Sequence, residues 1–334
     1  MKKVYKNLNI NVNKGSIKWI VHLIGPIVFI IILLRLDLHN VWQSILSAKL
    51  FYLILAILSQ IISILLKCQR WRIIIALYQK LPFFQVLKAS IYGFIYASIT
   101  PGKVGEGFKA PLIKNPSLRY SQIFFSIIVD RLLDVLPIIL AGYLSLIYLR
   151  NVIKVDIYVL LSITAGLILI FTIAYYLYQR LRKNRLFDHS QNKFTGINNW
   201  LHNDLNLIID NIFIFSNRPA SRKIFSRAIS MSILLYFFYF LAVYFIALSI
   251  NLDISFMFMV LCFSAVSFLA LLPISISGIG TRDISLIFFF NMIGISAEKA
   301  IAFSLIILSI MTYGTLLLYF LMIEISEFLK VSWK

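Results

Sequence analysis

The sequence predicts an all-α, polytopic transmembrane helix bundle with six full spans and two opposed re-entrant helical hairpins, about eight membrane segments in all. Three observations carry this. Of the 334 residues 60% are hydrophobic, mean hydropathy is +0.89, and only 13% are charged, about half the share of a soluble domain. Apolar runs of about 20 residues, the length that crosses a bilayer core, recur along the chain. The 32 Lys and Arg against 13 Asp and Glu, a net charge of +19, are distributed unevenly between the loops, as cytoplasmic and external loops of a membrane protein are.

In chain order, full spans are expected at 17–36, 50–68, 121–149, 155–178, 228–250 and 300–324. The first, from Ile17, is too long for a signal-peptide core and no small-residue cleavage site follows, so it is read as part of the mature protein. Two apolar stretches are less regular. Phe83 to Ile99 runs into TPGKVGEGFKAPLIKNPSLR (Thr100 to Arg119), where prolines and charges forbid a lipid-facing helix. Ser255 to Leu272 runs into PISISGIGTRD (Pro273 to Asp283), followed by only a short apolar limb, Ile284 to Ile295. Both read as helix, glycine loop and half-helix.

With the amino terminus inside and each hairpin returning to its own side, 25 of the 32 cations fall inside, five outside, and Arg131 and Arg282 at membrane depth. Both termini are then cytoplasmic. A single crossing at Phe83 would move the nine cations between Arg180 and Arg227 outside. Parity leaves a hairpin and two short spans open, and the charged, proline-rich return limb favours the hairpin. The two hairpins would enter from opposite faces, as broken helices do in inverted-repeat transporters. The polar region 179–227 carries Ile197, Trp200, Leu201, Leu205, Ile208, Ile209, Ile212 and Phe215 at helical spacing. It reads as a cytoplasmic loop with an amphipathic helix, lying on the interface or over the bundle end. All 334 residues form one integral membrane domain.

Charges inside apolar helices are costly, about 2.5–3.5 kcal/mol each on insertion scales, and so mark candidate sites. Asp130 and Asp134 share one helical face with Arg131 beside it; they line a headgroup or ion path, or Arg131 forms a structural ion pair with Asp130, Asp134 or Asp283 that locks helices together. Pro137, Ala141, Gly142 and Ser145 continue that stripe. The first loop, with Gly102, Lys103, Gly105, Glu106, Gly107 and Lys109, is no Walker A motif. It has the chemistry of an anion site: close backbone approach, helix-start N–H groups and two lysines. An ordinary glycine turn is the alternative. In the second loop, with Gly278, Gly280, Arg282 and Asp283, Thr281 suits an N-cap and Asp283 an early-turn acid. Arg282 has the fork geometry that suits phosphate. Gln60, Ser63, Lys67 and Arg70 form a polar stripe on the second span, and Trp71 and Arg72 read as interface anchors. His22, His39, His189 and His202, with Cys68 and Cys262, offer no metal-ligand spacing or disulfide framework. No catalytic constellation, metal or cofactor is expected.

RWRIIIAL (Arg70 to Leu77), TPGKVGEGFKAPLI (Thr100 to Ile113), VDRLLDVLPIIL (Val129 to Leu140) and LPISISGIGTRDISL (Leu272 to Leu286) occur in the order and approximate spacing of one family. The chain thereby resembles, over nearly its whole length, the lysylphosphatidylglycerol synthase transmembrane region family. This is the flippase-like membrane domain of bacterial multiple peptide resistance factors and of many stand-alone proteins. The resemblance implies a bundle that moves or binds a charged lipid. It points to Arg70, Arg72, Gly102, Lys103, Gly105, Glu106, Asp130, Arg131, Asp134, Gly278, Gly280, Arg282 and Asp283. Two departures stand out: Ala97-Ser98 precedes the first loop where members often carry asparagine, and Lys103 stands where arginine is frequent. The soluble aminoacyl-transferase domain of the fused proteins is absent, so lysyl transfer by this chain, and enzyme activity generally, is not expected.

The function expected is translocation or binding of a charged lipid in a cytoplasmic membrane. The partner is a membrane phospholipid or a polyprenyl-phosphate-linked lipid, not nucleic acid. Arg282 with Lys103 or Lys109 would neutralise phosphate, and Asp130, Asp134 and Glu106 would receive an amino group or gate the path. The alternatives are a membrane subunit of a lipid-modifying glycosyl- or aminoacyl-transferase system, with a separate transferase as partner, and a secondary transporter for a small anion.

Overall fold

A computed structural model describes residues 14–148, 219–269 and 278–317, with isolated helical positions between 158 and 176. The remainder of the span expected at 155–178, the amphipathic helix within 179–227, the loop residues Pro273 to Ser277 and the end of the last span lie outside the described residues. So do the side chains of residues 101–104, Lys103 among them.

Every regular element among the described residues is helical: α1 (Lys14–Arg35), α2 (Leu38–Leu46), α3 (Leu50–Ile75), α4 (Phe83–Ile99), a 3₁₀ segment (Pro101–Lys109), α5 (Ala110–Ile113), α6 (Tyr120–Tyr148), α7 (Pro219–Ser249), α8 (Phe256–Leu269), α9 (Thr281–Asn291), α10 (Ala297–Ile307) and a π-helical stretch (Leu308–Gly314). The expected spans starting near 17, 50, 121, 228 and 300 coincide with α1, α3, α6, α7 and α10. Leu50–Ile75, Ser221–Ser249 and Ala297–Leu317 are long and apolar enough to cross a membrane. The 29 residues of α6, at about 1.5 Å each, suffice in length, but their middle holds three charges.

Helices α3 and α7 form the most extensive pair. They run antiparallel, since the Lys49 N–H at the start of α3 bonds the Ser249 carbonyl at the end of α7 (2.9 Å). The fully buried Ala56 and Ala242 belong to their shared core with Val243, Ile246 and Met259, small residues letting two backbones close up as membrane helix pairs do. A Cβ on Gly142 of α6 would meet the Phe268 Cβ of α8 at 2.9 Å. The small stripe beyond Asp134 is therefore in part a helix-packing seam, where the sequence left a conducting face open.

The first expected hairpin does reverse. A Cβ on Gly105 would lie 2.3 Å from the Tyr96 carbonyl, and Gly93 packs against Glu106 and Lys109, so the return limb runs back along α4. The Thr100 hydroxyl accepts from the Gly105 N–H (2.8 Å) at the turn. What differs is the limb's form. The glycine segment is itself a 3₁₀ helix, with only four α-helical residues after it, so no α half-helix begins at Glu106. Three glycines and two prolines between 101 and 111 disfavour α-helix, and 3₁₀ turns accept the strained close approach. The segment expected to form the second return limb, α9, is a true α-helix whose N-cap is Gly280 rather than Thr281. Gly280 needs its positive φ of 86°, and a Cβ there would sit 2.2 Å from the Gly25 carbonyl of α1. The two return limbs thus differ in kind.

Candidate functional site

Seven charges from three elements converge in one cluster. Helix α3 supplies Lys67 and Arg70, the 3₁₀ segment Glu106 and Lys109, and α6 Asp130, Arg131 and Asp134. Arg70 is the centre. Its side chain is 0% exposed, and its Nε donates to Asp130 Oδ1 (2.8 Å) and its Nη2 to Asp134 Oδ1 (2.5 Å). Its Nη1 donates to Ser232 of α7 (3.0 Å). The Tyr236 hydroxyl, one turn further on α7, donates to the Asp134 carbonyl (2.6 Å). Four-residue spacing brings both aspartates to one guanidinium, a fork that matches two carboxylates.

Lys109 is also buried. Its ammonium lies 3.4 Å from Asp130 Oδ2, 3.9 Å from Glu106 Oε2 and 4.0 Å over the Trp71 ring, a desolvated cation–π contact. Trp71 is itself buried, its indole N–H donating to Ser126 (3.1 Å). It braces the site and is not the interface anchor that sequence suggested.

The outer rim of the network is different. Lys67, with 33% of its side chain exposed, lies 2.8 Å from Asp134 Oδ2 and 3.5 Å from Glu106 Oε1. Arg131, 24% exposed, lies 2.5 Å from Glu106 Oε1 and 3.7 Å from Asp134. The Arg131–Glu106 contact is close but poorly aligned: Arg131 Nη2 and Glu106 Oε2 complete no hydrogen bond. A small cleft lined by Lys67, Cys68, Trp71, Ser90, Phe94, Glu106, Lys109 and Asp130 adjoins them. Four cations meet three carboxylates, leaving one positive charge in excess. Chemically this is a satisfied inner pair carrying an under-coordinated, partly accessible cationic rim, suited to an anion bearing further donors.

Arg131 therefore pairs with Glu106 and Asp134, and not with Asp283. Arg282 and Asp283 form a separate cluster: Arg282 Nε donates to Ser304 of α10 (2.9 Å), its Nη2 lies 3.6 Å from Asp283, and the Ser304 hydroxyl donates to Asp283 Oδ1. Asp283 Oδ2 accepts from the Gly280 N–H (2.7 Å), half of a capping box. Among the described residues no ion pair joins the two clusters. Of the loop glycines named by the sequence, Gly105 and Gly280 are demanded by space. Gly107 is not, a Cβ there reaching only the Phe124 ring at 3.5 Å.

Sequence reasoning named Lys67 only as part of a stripe and missed Ser232, Tyr236 and Ser304. For Lys67 the signal was its distance of three residues from Arg70. A serine or tyrosine in an apolar helix carries no comparable mark.

The chain matches the family model described as "Lysylphosphatidylglycerol synthase TM region" over residues 19–318. It is also similar to the "UPF0104 membrane protein PH1989" of Pyrococcus horikoshii, 27% identical over 158 residues that cover 46% of this chain and 47% of that protein. The match thus spans about half the length of that relative. Family and relative are both membrane proteins.

Proposed function

Because the chain belongs to the lysylphosphatidylglycerol synthase transmembrane region family, we propose that it binds a charged phospholipid by its headgroup and carries it across the cytoplasmic membrane, with both termini on the cytoplasmic side. The observation that carries this reading is the rim in which partly accessible Lys67 and Arg131 meet buried Glu106, set on the buried Arg70–Asp130–Asp134 triad. A lipid phosphate entering the rim displaces Glu106 from Arg131 and takes a fork of N–H donors, with Lys67 as a second point charge. The excess cation supports such an anion. Glu106, released, is placed to receive an ammonium group carried by the same headgroup. Arg70 and Asp130 hold the frame and make no contact with the lipid. The uneven distribution of lysines and arginines supports a rim on the side of the cytoplasmic leaflet, where anionic lipids are abundant.

The test is transbilayer movement of fluorescent phospholipids in proteoliposomes. With phosphatidylglycerol, Lys67→Gln and Arg131→Gln fall to the rate of protein-free vesicles, while Glu106→Gln retains movement. With an amine-bearing headgroup, Glu106→Gln is slowed as well. Equal, background-level movement in the wild type and all three variants overturns the reading.

A further inference from the structure

Helix α2 takes no part in either charged cluster and lies at 95° to the α1 segment that precedes it. At 100° per residue its sequence LHNVWQSIL divides into three faces. Val41 is buried and, with half-buried Ile45, packs on Ile301 and Ala302 of α10. Leu38, Trp42 and Leu46, at i, i+4 and i+8, form an apolar stripe that is 56%, 59% and 67% exposed. His39, Asn40 and Gln43 make an exposed polar flank. Asp37 caps the helix, accepting from the His39 N–H and the Asn40 side chain (2.9 Å each). Exposed Leu34, Leu50 and Phe51 extend the apolar stripe at both ends.

A helix with one face on protein, one polar and one apolar fits the boundary between water and lipid. It fits there only if it lies flat at the end of a span, as the right-angled turn requires. An indole sits well at that level, its ring in the acyl region and its N–H among headgroups. The depth agrees. Lys67 and Arg70 lie 17 to 20 residues along α3 from Leu50, about 26–30 Å at the α-helical rise, which is about one hydrocarbon thickness.

We propose that α2 is an interfacial membrane-binding helix, its Leu38–Trp42–Leu46 stripe immersed at the headgroup–acyl boundary of the leaflet opposite the Lys67–Arg131 rim. The occupant of the stripe is lipid, because the stripe continues onto the flanking Leu34, Leu50 and Phe51 at the ends of two membrane-length helices.

Nitroxide scanning of the full chain in phosphatidylcholine–phosphatidylglycerol vesicles tests this. Cysteines are placed singly at 38, 39, 42, 43 and 46; native Cys68 and Cys262 are buried and do not compete for label. Oxygen accessibility is expected to exceed that of an aqueous nickel chelate at 38, 42 and 46, and the order to reverse at 39 and 43. Should Trp42→Cys fail to fold, the other four positions still report the period. A preference for nickel at all positions overturns the proposal, as does protection of the stripe from both reagents, the mark of a protein partner or second copy. No transport is measured, so this result is independent of the translocation reading.

Discussion

At the scale of the residue, Arg70 and Lys67 show how three positions along one helix separate frame from function. Arg70 is sealed, and every group it meets is an acceptor that would be left buried without it. Breaking such a pair from one side costs about 3–5 kcal/mol, so Arg70→Met is expected to lower the thermal midpoint in detergent sharply and to reduce folded yield. Lys67 shares Asp134 with two arginines and reaches solvent. Its Lys67→Gln variant is expected to lose no more than about 1 kcal/mol, the range of exposed pairs, while losing transport. Equal destabilisation by both would mean that the rim is structural. Gly105 gives a second contrast. Gly105→Ala puts a methyl against the Tyr96 backbone and is expected to abolish folded protein in a fluorescence-detected sizing assay, whereas Gly107→Ala elutes as the wild type does.

At the scale of the element, apolar length was readable in the sequence and local helix type was not. The windows near 17, 50, 121, 228 and 300 found α1, α3, α6, α7 and α10, because twenty apolar residues satisfy bilayer and backbone alike only as a helix. The 3₁₀ segment escaped notice: a glycine-rich stretch permits many backbones, and Gly105 against Tyr96, a contact across the turn, selects among them. Helix α2 escaped for the opposite reason, nine half-apolar residues being too few for a span window. Its cap, Asp37, is known only from the structure, where it accepts from the His39 N–H. Much of the candidate site was legible, since Asp130, Arg131 and Asp134 announced themselves as charges in apolar surroundings and Arg70 closed the polar stripe on the second span. Their pairing was not, because it depends on how α3, α6 and the first loop are rotated. At α9, Asp283→Ala removes both the cap on Gly280 and the acceptor of Ser304. We expect a loss of about 1–2 kcal/mol from the cap, with further loss from Arg282 left unpaired, read as a fall in the thermal midpoint. Arg72→Ala, which frees the half-buried pairings with the Leu81 carbonyl (2.9 Å) and Gln69 Oε1 (3.4 Å), is expected to cost less.

At the scale of the whole molecule, sidedness is the property on which the proposed direction of lipid entry rests. On the orientation proposed from the 32 Lys and Arg, Lys80, between α3 and α4, would lie inside, and Gln43 on α2 outside. Both are exposed. A membrane-impermeant maleimide is expected to label Gln43→Cys in intact cells and Lys80→Cys only after permeabilisation. The reverse pattern would invert the molecule and place the charged rim in the outer leaflet. The contact between Gly280 and the Gly25 carbonyl bears on how this molecule is made. Helix α1 is synthesised before α3 and α7, yet the loop that closes on it follows roughly 250 residues later. The α3 and α7 pair, joined from Lys49 to Ser249, is complete well before that. A nascent chain halted after α7 would therefore hold its central helices together while α1 waits in lipid without its partner. Closure of the Gly280 loop on α1 therefore belongs to a later stage of assembly than the pairing of α3 with α7.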